Sequence, residues 1–235
     1  MENTENQKTT LRQKIENYWY HYRFRTIAAA FIIFVVIWGI VSAVGRTGED
    51  VTIGYIGEHL YTQEQAEDAC AKLSSHLDLD LDGNGETEIV LVQYQYLTES
   101  QIKELAADAE KRGMEFSYYP EVNSHNYELF ENELATGNTS VWMISPEIYE
   151  KMDKSMLMPI SEVLGYVPEK GVVDEYAIDC MYLPLCCKAV MTLSTNSYLV
   201  MRAERHYSFI MGDERMEAEL EDGKALFKAI VEYEQ

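Results

Sequence analysis

The chain has 235 residues, and its 40 Asp and Glu against 19 Lys and Arg give a formal charge of −21 at pH 7. So acidic a balance repels phosphate backbones and anionic lipid, which excludes a nucleic-acid partner and disfavours phosphate-bearing ligands. It suits a cation, a basic partner or plain solubility.

Residues 1–25 carry Lys8, Arg12, Lys14, Arg23 and Arg25, and "YWYHYRF" at 18–24 supplies interfacial aromatics. Residues 26–45, "TIAAAFIIFVVIWGIVSAVG", contain no charged side chain. About twenty apolar residues are what a helix needs to cross a hydrocarbon core. The expectation is therefore a cytoplasmic tail over 1–25, a transmembrane helix over 26–45 and an extracytoplasmic domain over 46–235. The basic flank sets that orientation. Val41-Ser42-Ala43 offers a rival signal-peptide cleavage site, but the apolar stretch exceeds the about 7–15 residues of a signal core, which favours an uncleaved anchor. Residues 1–46 hold six of the basic and three of the acidic residues, which leaves 13 against 37 and a net charge of −24 beyond them. That length is enough for one domain with a sizeable core.

"VTIGYI" at 51–56 is short and β-branched, a buried strand by composition. Thr62 with Gln65 forms a capping box, after which Ala66, Ala69, Cys70, Leu73 and Leu77 fall on one helical face. "EIVLVQYQY" at 88–96 is the strongest strand signal. Thr98 and Gln101 repeat the capping box before a helix with Ile102, Leu105, Ala106 and Ala109 inward, ending at Gly113. "MEFSYYP" at 114–120 reads as a further strand closed by Pro120. Ser124 can cap a helix whose Tyr127, Phe130 and Leu134 share a side, with Gly137 as its stop. "SVWMIS" at 140–145 is strand-like, and Pro146 opens a short helix. Residues 155–190 resist assignment, 196–202 is a late strand, and 213–234 is a helix with Gly223 as a break or kink. Strands separated by helical patterns imply an α/β domain with a mainly parallel sheet flanked by helices.

Between the first helix and the second strand lies "DLDLDGNGETE", with Asp78, Asp80, Asp82, Asn84 and Glu88 spaced as alternate side chains and the Glu86 carbonyl available. Calcium takes six to eight such oxygens. So many hard-oxygen ligands point to a structural calcium clamp rather than a catalytic metal; the competing reading is a hydrated turn. Tyr94 and Tyr96 point the same way along their strand and, with Trp142, are the candidate ligand contacts, either walling a cleft or packing as half-buried strand residues. The four cysteines, Cys70, Cys180, Cys186 and Cys187, all lie beyond the span, and no CxxC occurs. Disulfides involving Cys180 or Cys70 and buried thiols both remain open. The five histidines are scattered, and HExxH, GxSxG, P-loop and GxGxxG motifs are all absent. The expectation is a protein that is not an enzyme, a hydrolase being the weakest alternative.

The stretch "DLDGNGETEIV" resembles the calcium loops of integrin-type β-propeller repeats and, from Asp78, those of EF-hands and dockerins. It departs from them with Asn84 and Glu88 in place of aspartates and with Ile89 where an EF-hand carries its last glutamate. "VTIGYIGE", "EIVLVQYQY" and "NYELFENELATGNTSVWMISPEIYEKMDKSMLMPISEVLG" together resemble extracellular solute-binding proteins of the type 2 periplasmic-binding fold. The match runs through Leu134-Ala135-Thr136-Gly137, Val141-Trp142-Met143-Ile144 and Met156-Leu157-Met158-Pro159-Ile160. The whole is similar to short membrane-anchored relatives in Gram-positive bacteria. Ser140 stands where the family has an acidic residue, and the chain is too short for two full lobes. The resemblance implies a reduced binding domain that recognises a small molecule, peptide or protein partner. The alternative is an accessory or structural subunit of a membrane complex.

Overall fold

The computed structural model describes residues 50–77, 79–81, 85–136, 138–187, 196–204 and 213–233, together with 19, 20, 31 and 32. Met1–Thr47 and Gly48–Gln235 are separate units. In the first, Trp19, Tyr20, Phe31 and Ile32 are helical and exposed, and the rest of the expected span lies outside the described residues. Among the described residues no helix is long and apolar enough to cross a membrane.

In the second unit the order is β1 (Val51–Gly57), α1 (Gln63–His76), β2 (Ile89–Gln95), α2 (Glu99–Lys111), α3 (Pro120–Thr136), β3 (Val141–Ile144), α4 (Pro146–Tyr149), α5 (Ile160–Leu164), β4 (Ala177–Asp179), α6 (Pro184–Cys187), β5 (Tyr198–Met201) and α7 (Asp213–Val231). The domain is α/β, with a five-stranded sheet in the order β2-β1-β3-β5-β4. Both capping boxes form: Thr62 and Thr98 accept from the backbone of Gln65 and Gln101, whose side chains return the bond.

Two expectations are corrected. The sheet is mixed rather than mainly parallel: β1 pairs parallel with β2 and β3, whereas β5 is antiparallel to both β3 and β4. Parallel neighbours need a crossover long enough to return the chain to the same end of the sheet. The long helices α1, α2 and α3 provide it on the β2-β1-β3 side, while the described part of the β4-to-β5 connection has only a short turn and four-residue α6. The expected strand at 114–120 is also not one. Residues 114–119 have no regular structure, and Pro120 begins α3 instead of closing a strand, four residues before the anticipated Ser124 cap. Proline's fixed φ and missing N–H suit a first helical turn.

Each sheet face has its own core. On one, Val51, Ile53, Tyr55, Val141, Met143, Leu199 and Met201 meet Ala69 and Leu73 of α1 and Leu226, Phe227 and Ile230 of α7. On the other, Ile56, Trp142, Ile144 and Val200 meet Phe130 and Leu134 of α3 and Ile148 and Tyr149 of α4. This alternation is the two-residue period of strands buried on both sides. Two glycines mark where a neighbouring side chain leaves no room for a Cβ. Gly54 faces Trp142 in register, and a Cβ there would stand 2.3 Å from the indole. Gly223, expected to break α7, lies inside a continuous helix; a Cβ there would stand 2.5 Å from that of Ser140, so its role is close approach to the strand.

Candidate functional site

In open α/β sheets a crevice forms outside the carboxyl ends of neighbouring strands whose following or preceding helices lie on opposite faces. Here α1, which leaves β1, packs on one face and α3, which leads into β3, on the other. The ends of β1 and β3 therefore define that position, and they are joined there by Ser145 N–H donating to the Ile56 carbonyl at 3.0 Å.

Around that junction the polar groups are unevenly satisfied. Glu58 follows β1; its carboxylate lies 3.0 Å from His59 Nε2 and accepts from Gln101 Nε2 at 3.3 Å. Its carbonyl accepts from Gln95 Nε2 at 2.9 Å. Ser145 follows β3 and is 5% exposed, yet its hydroxyl neither caps α4 nor finds another partner among the described residues. The buried Oε2 of Glu147, two residues on, is likewise without a hydrogen bond among them. An unmet buried polar atom costs about 1–3 kcal/mol, so two of them at one strand end require an explanation beyond folding.

Adjacent to it stands a tyrosine–carboxylate group. Tyr149 donates its hydroxyl to Asp174 Oδ1 at 2.6 Å, and Lys154 Nζ meets Asp174 Oδ2 at 2.6 Å. The same ammonium lies 4.2 Å from the Tyr149 ring centroid. Tyr198 packs edge-on against Tyr149 at 5.4 Å. Burial, then the charges of Asp179, Glu150, Glu147 and Asp174, raise the Tyr198 phenol above its ordinary range. Burial and the bond to Asp174 do the same for Tyr149. This corner already holds one ammonium between an aromatic face and a carboxylate, an arrangement suited to organic cations.

None of Ser145, Glu147, Tyr149, Lys154 or Asp174 was singled out from the sequence. The available signal was the Pro146 helix start that fixes where β3 ends. The tyrosines and tryptophan that were singled out do come together, elsewhere. Tyr94 stacks on Trp142 at 6.1 Å, Phe130 meets Trp142 edge-on at 5.0 Å, and Tyr96 packs on Tyr127 at 4.7 Å. Trp142 is 0% exposed and its indole N–H donates to the Thr139 carbonyl, so it is a core residue in this structure, with Tyr94 and Tyr96 half-buried around it.

Of the acidic loop, Asp78, Asp82 and Asn84 lie outside the described residues. Asp80 Oδ2 accepts from Gly85 N–H at 3.0 Å, and Glu86 and Glu88 are exposed. Asp50, not anticipated, clasps the loop by accepting from the N–H groups of Leu81 (3.0 Å) and Glu88 (2.7 Å). Burial, then the charges of Asp50, Glu219 and Glu221, push the Asp222 carboxyl above the usual range. Among the described residues no group of three or more His, Cys, Asp or Glu is placed to hold a metal ion.

No protein-family profile matches the chain, and neither a curated protein nor a solved structure matches it.

Proposed function

We propose that the chain is a single-pass, membrane-anchored, extracytoplasmic binding protein, not an enzyme, whose domain is a reduced relative of type 2 solute-binding proteins. Its ligand carries a positive charge and seats at the carboxyl ends of β1 and β3. The observation carrying this reading is that the buried hydroxyl of Ser145 and the buried Oε2 of Glu147, two residues on, have no hydrogen-bond partner among the described residues. A ligand ammonium or guanidinium supplies the donors that these acceptors lack, and the surplus of carboxylates favours its approach. Calorimetric titration of the full chain in detergent with basic amino acids, short basic peptides and polyamines is the test. We expect saturable binding by one of these classes, weakened about tenfold or more by Ser145→Ala or Glu147→Gln, since a lost hydrogen bond to a charged group is worth about 1.5–3 kcal/mol. Binding indifferent to both substitutions, or none to any cationic class, overturns it.

The anchor rests on the uncharged run over 26–45 and its basic flank. Calcium in the 78–88 loop is part of the same proposal, as a structural clamp between α1 and β2, supported by the closely spaced oxygen donors of Asp78, Asp80, Asp82, Asn84 and Glu88. Calcium at a hundredfold excess over its Kd raises stability by about 2.7 kcal/mol. A rise in melting temperature that a chelator reverses and that Asp80→Asn reduces is the expected result, and absence of both heat and shift disposes of the clamp.

A second reading, an accessory subunit of a membrane complex, has its own observation. Val172, Val173, Met181 and Tyr182 are exposed apolar residues along the β4 edge, where Val172 bridges to Ile178 and Gly171 lies against Tyr182. Such an edge suits a protein partner.

A further inference from the structure

The sheet ends in β4 on one side and β2 on the other, and these two outer edges differ. Along β4 the chain returns antiparallel: Val173 N–H donates to the Ala177 carbonyl at 2.9 Å, and Asp179 N–H to that of Gly171 at 2.7 Å. Beyond β2 no strand lies among the described residues. Val51 N–H donates to the Glu88 carbonyl at 3.3 Å and Tyr96 N–H to the Gly57 carbonyl at 2.9 Å, so the even-numbered positions of this strand bond to β1. Backbone groups alternate in direction along a strand. Ile89, Leu91, Gln93 and Gln95 therefore aim their N–H and C=O groups away from the sheet. Two side chains reach that edge: Asn126 Nδ2 donates to the Gln95 carbonyl at 2.9 Å, and the Cys70 thiol, a weak partner, bonds to the Leu91 backbone. From Val90 to Gln95 every residue is half-buried, whereas β3 is buried throughout. Edges are ordinarily protected by charge, proline or a bulge. The stretch "IVLVQYQ" has no charge and no proline, and its register with β1 runs without a skipped residue.

We propose that β2 pairs antiparallel with β2 of a second copy of this chain, which joins the two five-stranded sheets into one. Two-fold symmetry makes the pair antiparallel when a strand meets its own copy edge to edge. The register that engages all of Ile89, Leu91, Gln93 and Gln95 puts Val92 on the axis, Leu91 opposite Gln93, and Ile89 opposite Gln95. On the face that bears Tyr94, Val90 of each copy then lies opposite Tyr94 of the other, a favourable pairing of β-branched and aromatic side chains made twice. No charged residue falls within the shared ladder. Glu88 comes opposite Tyr96 of the second copy, and the two Glu88 positions stand about 27 Å apart at about 3.4 Å per residue. That is well beyond a screening length of about 8 Å. A single strand thus supplies both halves of a matched surface, which selects a second copy over an unrelated strand. The pairing requires neither the ligand nor the anchor proposed above.

The test is disulfide trapping in the full chain in detergent, with peptide mass analysis to identify the linked positions. Val92→Cys places a thiol on the axis, in a non-hydrogen-bonded pair whose Cα atoms stand about 4.5 Å apart, within reach of a disulfide. Gln93→Cys places one opposite Leu91, about 8 Å from its own counterpart and outside that reach. Under mild oxidation V92C is expected to link to itself at position 92 at least about tenfold more than Q93C links at 93. Adding Gln93→Pro to V92C removes an outward N–H and abolishes the link. Adding Gln93→Ala instead loses the same side chain, keeps the N–H and retains the link. No link at position 92, equal yields from 92 and 93, or a link that survives Gln93→Pro overturns the proposal. A strand of another protein on this edge, or residues 114–119 of the same chain, gives the first of these results. The comparison of 92 with 93 needs no proline, so it decides the matter even where the proline variant fails to fold.

Discussion

Replacing Trp142 by alanine is expected to lower stability by about 4 kcal/mol, the range for a large aromatic removed from a core, and to drop the melting temperature by roughly 8–16 °C. The indole is 0% exposed, lies between Tyr94 and Phe130, and has its N–H satisfied by the Thr139 carbonyl. Its removal also strands that carbonyl and opens a void beside Gly54, where the indole occupies the space a Cβ would need. The same contact can be tested from the other side. Gly54→Ala alone overpacks β1 against the indole, at a cost of about 1–3 kcal/mol. In the double variant the alanine methyl enters space the indole has vacated, so the combined loss is smaller than the sum. Urea denaturation of the four proteins closes the cycle; strict additivity would falsify direct steric opposition between residues 54 and 142.

Asp174→Ala is the second large effect, at about 2 kcal/mol, and it carries a pH signature. One carboxylate accepts the Tyr149 hydroxyl, the Lys154 ammonium and the Tyr176 N–H. Hydrogen bonds to charged groups contribute about 1.5–3 kcal/mol. The half-exposed lysine bond adds little, and most of the loss comes from Tyr149, whose side chain is 1% exposed. Burial raises the Asp174 carboxyl, but the bonds from Lys154, Tyr149 and the Tyr176 backbone outweigh it and hold it below its ordinary value. A carboxyl depressed on folding contributes stability that is fully present above its unfolded pKa, about 3.9, and is lost as pH falls through the folded value. The stability gap between the natural protein and Asp174→Asn is therefore widest at neutral pH and narrows below about pH 4. A gap that holds constant down to about pH 2.5 contradicts the assignment.

Local chemistry made much of the fold legible. The capping boxes at Thr62 and Thr98, the helix faces around Leu73 and Phe130, and the Pro146 helix start all appear where short-range rules put them. What local rules lack is strand direction. Nothing in "NSYLVMR" says that β5 runs against β3, because that depends on the path of the chain between 155 and 197 and not on the strand's own residues. Tyr94 and Tyr96 were singled out as ligand contacts because residues two apart on a strand share a face, but whether that face meets a cleft or a covering helix depends on elements distant in sequence. The site at Ser145 escaped notice because a serine acquires meaning only when burial removes its alternatives. Asp50, lying 31 and 38 residues before the amides it caps, was equally beyond any local pattern.

The packing of α7 has a consequence for how the domain is made. β1, an interior strand of the sheet, is synthesised early, yet one of its faces is covered in part by Leu226, Phe227 and Ile230 of the much later α7. Until α7 emerges, a newly made polypeptide holds a sheet with one oily side covered only in part, by α1. Closure must then wait for α7 to be made, and in that interval the nascent molecule depends on escorts that shield greasy surface.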